Sequence, residues 1–354
     1  MDPLETLETD QLRPGVTVAI CCHNSAARLP ETLRHLQAQQ NAGLLAWEVL
    51  VINNASSDTT PQAARSTWPA SMATPLRIVD EPKAGLSQAR IRAFREARYE
   101  VISFIDDDNW VPPNWVEQID EFFRTHPEIT ALGCGSEPVF EVPPPIWMKT
   151  IEGFYAIGSQ HAFNGDITNQ PGTLLWGAGL ALRTQAARDI LAQGFSFTLS
   201  GRKGKEMSTG EDTELCFSLR AAGARLWYKE TPRLKHFIPK ERLTLDYANR
   251  LFQGVGRASP WIDVCLLVLK GSPGVQLSKW KKTWTFLFLK ALKNLLWYSL
   301  ENGRSLLQKN RDIPKRLGLI VRIHSLFSLW KMKNGFHKTL AHLRDDSLKW
   351  RISA

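Results

Sequence analysis

Between residues 16 and 133, short apolar runs rich in β-branched residues alternate with stretches whose apolar positions recur every three or four residues. VTVAIC (16–21), WEVLVIN (47–53), LRIVD (76–80) and VISFID (101–106) predict strands. LPETLRHLQAQQ, TTPQAARSTW and LSQARIRAFREA, which lie between them, predict helices. Alternation of this kind implies βαβ units and an α/β fold with a mostly parallel sheet flanked by helices. Ligands of such sheets sit at the carboxyl ends of the strands. The residues that follow each strand are therefore the first functional candidates: His23 and Asn24, Asn53 and Asn54, Asp80 and Glu81, and the run Asp106, Asp107 and Asp108.

Past residue 137 the pattern weakens. The segment 138–175 is rich in Pro and aromatic residues and predicts a long loop or substrate-shaping insertion. GAGLALR (177–183) predicts a strand, TQAARDILAQ and EDTELCFSLRAAG (211–223) helices, and RLWY (225–228) a further strand. From about Asp263 the chain reads as helical, with basic residues and tryptophans interleaved. Two regions are expected: 1–262 as the ligand-binding domain and 263–354 as a basic, amphipathic helical extension. TWTFLFLKALKNLLWYSL (283–300) is long enough to test as a membrane span, but Lys290, Lys293 and Asn294 fall on one helical face. An interfacial or protein-packed helix is the expectation there.

Charge sharpens that division. The 354 residues hold 44 Lys+Arg against 35 Asp+Glu, a formal net charge of +9. Of these, 18 basic and 4 acidic residues lie in 270–354, a local net of +14, which leaves 26 against 31, or −5, for 1–269. The body is mildly acidic and the tail strongly basic. The 5 cysteines form no CxxC pair, so a reducing, cytoplasmic compartment is expected. The acidic start MDPLETLETDQLRPG lacks the apolar core of a secretory signal.

Three consecutive carboxylates in VISFIDDDNWVPPNW, directly after a buried strand, are unfavourable unless a cation or a donor-rich ligand neutralises them. Oxygen ligands suit Mg²⁺ or Mn²⁺, which keep open positions for substrate phosphates. The same residues also suit a solvated turn that caps the helix beginning near Pro112 and Pro113. Asn24 and Asp58 can hydrogen-bond a base edge or ribose hydroxyls. Lys83 and Gly85, followed by a helix bearing Arg90, can admit a phosphate to backbone donors. Asn53, Asn54 and Asp58 are equally good turn and N-cap residues.

Taken in order, VTVAICCHNSAARLPETL, WEVLVINNASSDTT, EPKAGLSQAR, VISFIDDDNWVPPNWV, WGAGLALR and GEDTELCFSLRAAGARLWY resemble family 2 glycosyltransferases of the GT-A fold over roughly residues 14–260. The resemblance implies a GT-A-type, Rossmann-like sheet and an inverting transferase that uses a nucleotide-diphosphate sugar, most simply UDP-linked, with Mn²⁺ or Mg²⁺. It places Asp106, Asp107 and Asp108 at the family's DxD position, with Asp108 on the metal and Asp106 nearer the ribose, so that Asp106 and Asp108 are expected with His236 as the metal set. Asn24 and Asp58 match positions around the base and ribose, and Asn53 stands where the family often has Asp. Gly177, Ala178 and Gly179 match the turn beside donor sugar and acceptor. Glu211 and Asp212 match an acidic pair with Asp212 as general base, and His236 matches a histidine near the metal.

An inverting transfer needs a carboxylate to take the acceptor proton, which is the chemical sense of that base. Unaided by the resemblance, Glu211, Asp212 and Glu214 read as acids that favour a helix N-terminus. SGRKGKEMSTG (200–210) places Arg202, Lys203 and Lys205 among glycines, as a lid meeting the diphosphate or as a solvated basic loop. Gln253, Arg257 and Trp261 are wrongly spaced for the processive Q-x-x-R-W pattern, which predicts transfer of a single sugar.

The expected partners are the nucleotide-sugar donor, a carbohydrate or lipid-linked acceptor, and an anionic membrane surface for the basic tail at the inner face of the plasma membrane. Nucleic acid is disfavoured, since no recognition fold accompanies the charge. The competing function is a non-catalytic nucleotide-sugar-binding or scaffold protein.

Overall fold

A computed structural model describes residues 11–40, 45–170, 174–199, 201–203, 206–207, 209–270, 283–307 and 312–336. The chain forms two compact units, one from Met1–Glu137, Ser159–Ala192 and Ala224–His236, the other from Pro138–Gly158, Gln193–Gly223 and Phe237–Ala354.

The first unit opens with β1 (Arg13–Cys22), α1 (Leu29–Gln37), β2 (Trp47–Asn54), α2 (Thr60–Thr67), β3 (Leu76–Glu81), α3 (Leu86–Glu96) and β4 (Tyr99–Ile105). The four strands pair in parallel, in the order β3-β2-β1-β4, with Val18 opposite Val49 on one side and Ser103 on the other. Val16, Val18, Ala19, Ile20, Leu50, Ile52 and Ile102 are fully buried. A strand covered on both faces has no polar side, which is why these runs are continuously apolar and do not alternate. Then come β5 (Asn109–Trp110), α4 (Trp115–Thr125), β6 (Ala131–Phe140), β7 (Gly165–Asp166), β8 (Ala181–Arg183) and α5 (Thr184–Ala192). β8 joins β4 antiparallel and is followed across the sheet by β6.

One buried charge interrupts β2. Glu48 is 1% exposed, and its carboxylate accepts from Thr17 Oγ1 at 3.0 Å and Arg77 Nη1 at 3.2 Å. Arg77 is itself held by Glu96 Oε2 at 2.7 Å. Removing one partner of a buried ion pair strands the other. Arg77→Ala is therefore expected to destabilise the fold by about 3 kcal/mol, read as a lower urea midpoint with unchanged m. A midpoint equal to the wild type's would mean that Thr17 and the backbone N–H of Arg98, 3.2 Å from Glu48, suffice.

The second unit carries 3-10 turns at Ile146–Thr150 and Glu152–Tyr155, then the short strands β9 (Arg202–Lys203) and β10 (Glu206–Met207) and the helix α6 (Glu211–Ala221). β11 (Leu226–Ile238) follows; up to His236 it belongs to the first unit, where it lies in the sheet between β6 and β5. The chain closes with α7 (Leu245–Lys270), α8 (Trp284–Leu307) and α9 (Ile313–Met332). α9 packs on both α7 and α8. Leu317 joins a core with Leu251, Phe252 and Met148, while Leu329 and Phe336 join Val264 and Leu287. α7 runs unbroken across residues 262–263. The segment expected as a loop, 138–175, holds the end of β6, the two 3-10 turns and β7.

Two α7 glycines permit close packing. A Cβ on Gly254 would lie 1.8 Å from the carbonyl oxygen of Met207 in β10, and one on Gly256 2.5 Å from that of Val321 in α9. Ala intrinsically favours a helix over Gly by about 1 kcal/mol, but backbone overlap of this depth costs more. Gly254→Ala is expected to lower stability by about 2 kcal/mol net, measured by thermal unfolding. A stabilised variant would show that the β9–β10 hairpin gives way freely.

Candidate active site

The carboxyl ends of β1, β2 and β3 are tied together by their own polar side chains. Asn24 turns the chain out of β1 at φ +52°, a left-handed conformation that Asn tolerates. Its Oδ1 accepts the N–H of Ser57 at 2.8 Å, and its own N–H donates to Ser56 Oγ at 3.1 Å. Asp58 accepts the N–H of Ala26 at 3.0 Å and that of Thr60 at 3.0 Å. Burial raises the Asp58 carboxyl, but the Thr60 hydroxyl and these amides outweigh it and hold the group below the usual range. Asn24 and Asp58, expected around base and ribose, thus also clamp the loop after β1 to the loop after β2.

Asn54 spans two loops. Its Nδ2 donates to the carbonyls of Glu81 at 3.1 Å and Lys83 at 2.8 Å, and its Oδ1 accepts the N–H of Gly85 at 2.8 Å. The Gly85 amide expected to meet a phosphate is therefore already given to Asn54. Gly85 stands at φ +135°, where other residues are strained. His23 Nδ1 donates to the carbonyl of Asn54 at 2.8 Å, and Asn53 Nδ2 to Asp80 Oδ1 at 2.8 Å. The His23 and Lys83 side chains are exposed.

The three carboxylates after β4 part company. Asp107 turns to Arg28, its Oδ2 lying 2.6 Å from Nη2, while Thr32 Oγ1 donates to its carbonyl at 2.9 Å. Burial and the neighbouring Asp108 push the Asp107 carboxyl up, against the pull of Arg28. The half-buried Asp106 is bracketed by Asn109, whose Oδ1 accepts the Asp106 N–H at 2.9 Å and whose own N–H donates to the Asp106 carbonyl at 3.0 Å. Asp108, 2% exposed, accepts from Asn109 Nδ2 at 3.2 Å and lies 3.5 Å from His236 Nε2. Antiparallel pairing of β5 with β11 sets His236 opposite Asn109, and so beside Asp108. Arg28 and Asn109 are site residues that sequence reasoning missed, although Asn109 directly follows the acidic run.

Gly177, Ala178 and Gly179 return to the end of β4. The Gly179 N–H donates to the Phe104 carbonyl at 3.0 Å, and the Phe104 N–H to that of Leu180 at 2.7 Å. A Cβ on Gly177 would lie 1.9 Å from Arg90 Nη2. Arg90 is 3% exposed and stands over the Phe104 ring at 5.8 Å. It is packed behind the strand end, in room that Gly177 leaves.

In the second unit, Glu211, Asp212 and Glu214 occupy the first turn of α6, whose N-terminal dipole favours negative charge. Glu214 is buried and accepts the N–H groups of Thr198 and Leu199 at 2.9 Å each. Burial pushes its carboxyl up. Glu211 is buried, whereas Asp212 is half-buried and accepts the Thr213 N–H at 2.7 Å. Arg202 lies in β9, but its side chain and that of Lys203 fall outside the described residues, as does Lys205.

Among the described residues no group of three or more His, Cys, Asp or Glu side chains forms a metal site. Asp108 and His236 offer one carboxylate and one imidazole. The carboxylate suits Mg²⁺ or Mn²⁺, which are bound by few protein groups together with substrate phosphate oxygens and water, and the imidazole nitrogen suits Mn²⁺ better than Mg²⁺.

Residues 17–185 match the model of glycosyl transferase family 2. The chain is 25% identical over 259 residues to the succinoglycan biosynthesis protein ExoM of Rhizobium meliloti, covering 71% of this chain and 74% of that protein. Two other curated relatives are matched over only 29% and 52% of their own length. Among solved structures, S. aureus TarS 1-349 in complex with UDP-GlcNAc is similar at a TM-score of 0.51 and 18% identity, over 95% of this chain and 90% of that one. The mannosyltransferase PcManGT from Pyrobaculum calidifontis, in complex with GDP-Man and Mn²⁺, also scores 0.51 at 18% identity, over 92% and 88%. The fold is that of GT-A glycosyltransferases.

Proposed function

We propose that this chain, whose residues 17–185 are a glycosyl transferase family 2 domain, moves a single sugar, with inversion, from a nucleotide-diphosphate sugar to a hydroxyl acceptor. The observation that carries the reading is the buried Asp108–His236 pair at the carboxyl end of β4, among the ordered ends of three further parallel strands. The donor is taken as UDP-linked, its nucleotide lying over Asn24, Asn53 and Asp58, with Asp106 toward the ribose. Asp108 and His236 would hold Mn²⁺ or Mg²⁺, which, when bound, offsets the charge of the diphosphate.

Asp212 is the proposed base. Its carboxylate takes the proton of the acceptor hydroxyl as that oxygen bonds to the anomeric carbon. The bond from that carbon to the diphosphate oxygen breaks on the opposite face, and the nucleoside diphosphate leaves with the electron pair. Glu214 is less suited, since it is committed to Thr198 and Leu199. The acceptor is a carbohydrate or a lipid-linked sugar in polysaccharide or glycolipid synthesis, used by a peripheral enzyme at the cytoplasmic face of a membrane. Residues 1–262 are taken as the catalytic part and 263–354 as the part that attaches it.

Release of nucleoside diphosphate from UDP- and GDP-sugars with Mn²⁺ tests the reading. Metal-dependent turnover or nucleotide binding is expected with at least one donor. Neither with any donor would end it. Binding with no turnover towards any acceptor would favour the scaffold alternative.

A further inference from the structure

α8 and α9 each carry two apolar faces. One face is spent on the protein, where Leu287, Leu317 and Leu329 are at most 3% exposed. The other points outward. On α8, Leu289, Leu296, Trp297 and Leu300 recur at helical spacing and are 50 to 81% exposed. On α9, Ile323, Phe327 and Trp330 form a second stripe, 46 to 60% exposed.

We propose that these outward stripes dock the protein onto an anionic lipid bilayer surface. Charge complementarity selects that occupant. Exposed Lys293 lies within the α8 stripe and Arg316 in line with that of α9. Lys331 stands over the Phe327 ring at 4.7 Å. Lysines laid along aromatic rings can extend their ammonium groups to lipid phosphates while the rings and leucines enter the headgroup–acyl boundary. Among the described residues no helix is long and apolar enough to cross a membrane, so these helices lie on it. A second copy seated on the same face would oppose like charges across a two-fold axis. Nucleic-acid phosphates would leave the leucines without an apolar partner.

The inference deepens the transferase reading by naming the surface that would bring the enzyme to a lipid-linked acceptor. Its test is independent of the donor. The full chain is sedimented with vesicles of phosphatidylcholine alone and of phosphatidylcholine with about one-third phosphatidylglycerol. The wild type is expected to bind the anionic vesicles at least about tenfold more tightly, and to be released by salt. The variants L296E/L300E and K293E/K331E are each expected to lose about tenfold or more in binding. All four positions are exposed, and unchanged melting curves confirm folding. If the variants do not fold, the lipid and salt dependence of the wild type decides. Equal binding to both vesicle types, binding by the variants equal to the wild type's, or a wild-type dimer that L296E/L300E converts to monomer would overturn the proposal. A wild type that binds vesicles but no nucleotide with Mn²⁺ leaves this inference standing and fails the transferase reading instead.

Discussion

Asp108→Ala is expected to lower metal-dependent sugar transfer by about 10³-fold or more, the equivalent of roughly 4 kcal/mol of lost charge stabilisation. The same change is expected to leave thermal stability unchanged or slightly raised in the absence of metal. Asp107 and Asp108 are adjacent and both under 10% exposed. Their repulsion, together with burial, already pushes the Asp107 carboxyl up. Asp107 meets Arg28, and Asp108 meets His236 and Asn109. Deleting one carboxylate relieves the other, so activity and stability should move in opposite directions. Turnover measured across a Mn²⁺ titration, beside a melting curve in chelator, reads both. A variant with near-wild-type turnover would remove Asp108 from the site, and one that unfolds would overturn the expected relief of charge repulsion.

The second large effect is expected of Asp212→Asn, about 10³-fold in kcat with donor binding intact. The amide retains an oxygen for the Thr213 N–H, which the Asp212 carboxylate accepts at 2.7 Å, so the start of α6 is preserved. What is lost is the capacity to take a proton. A change made only in the transition state lowers kcat and kcat/KM together and leaves donor affinity alone. Glu214→Gln is the matched control. It should act chiefly on stability, because Glu214 fastens the Thr198 and Leu199 amides. If Glu211→Gln proves the inactive variant and Asp212→Asn an active one, the base is Glu211.

The parallel half of the sheet was legible because its strands are buried on both faces, which leaves an unmistakable apolar run between helical repeats. β11 was not. Only its first residues, in RLWY, read as a strand, since Pro232 interrupts the run that follows. β6 was missed for a related reason: GCGSEPVF is too small and polar to declare itself. The acidic run was found as a group, but its division of labour was hidden. Whether an aspartate faces an arginine or a histidine depends on chain segments far away in sequence.

Sequence by itself determined the α/β architecture, the strand ends at which ligands would gather, and the contrast between an acidic body and a basic tail. These follow from periodicity and composition, which are local properties. Tertiary structure alone decided that Asp107 belongs to Arg28, that Asn54 binds two loops, and that His236 stands beside Asp108 through the pairing of β5 with β11. It also decided which leucines of α8 and α9 face the core and which face outward. Each helix carries apolar residues on more than one face, and a helix of that kind acquires an inside only when another packs against it.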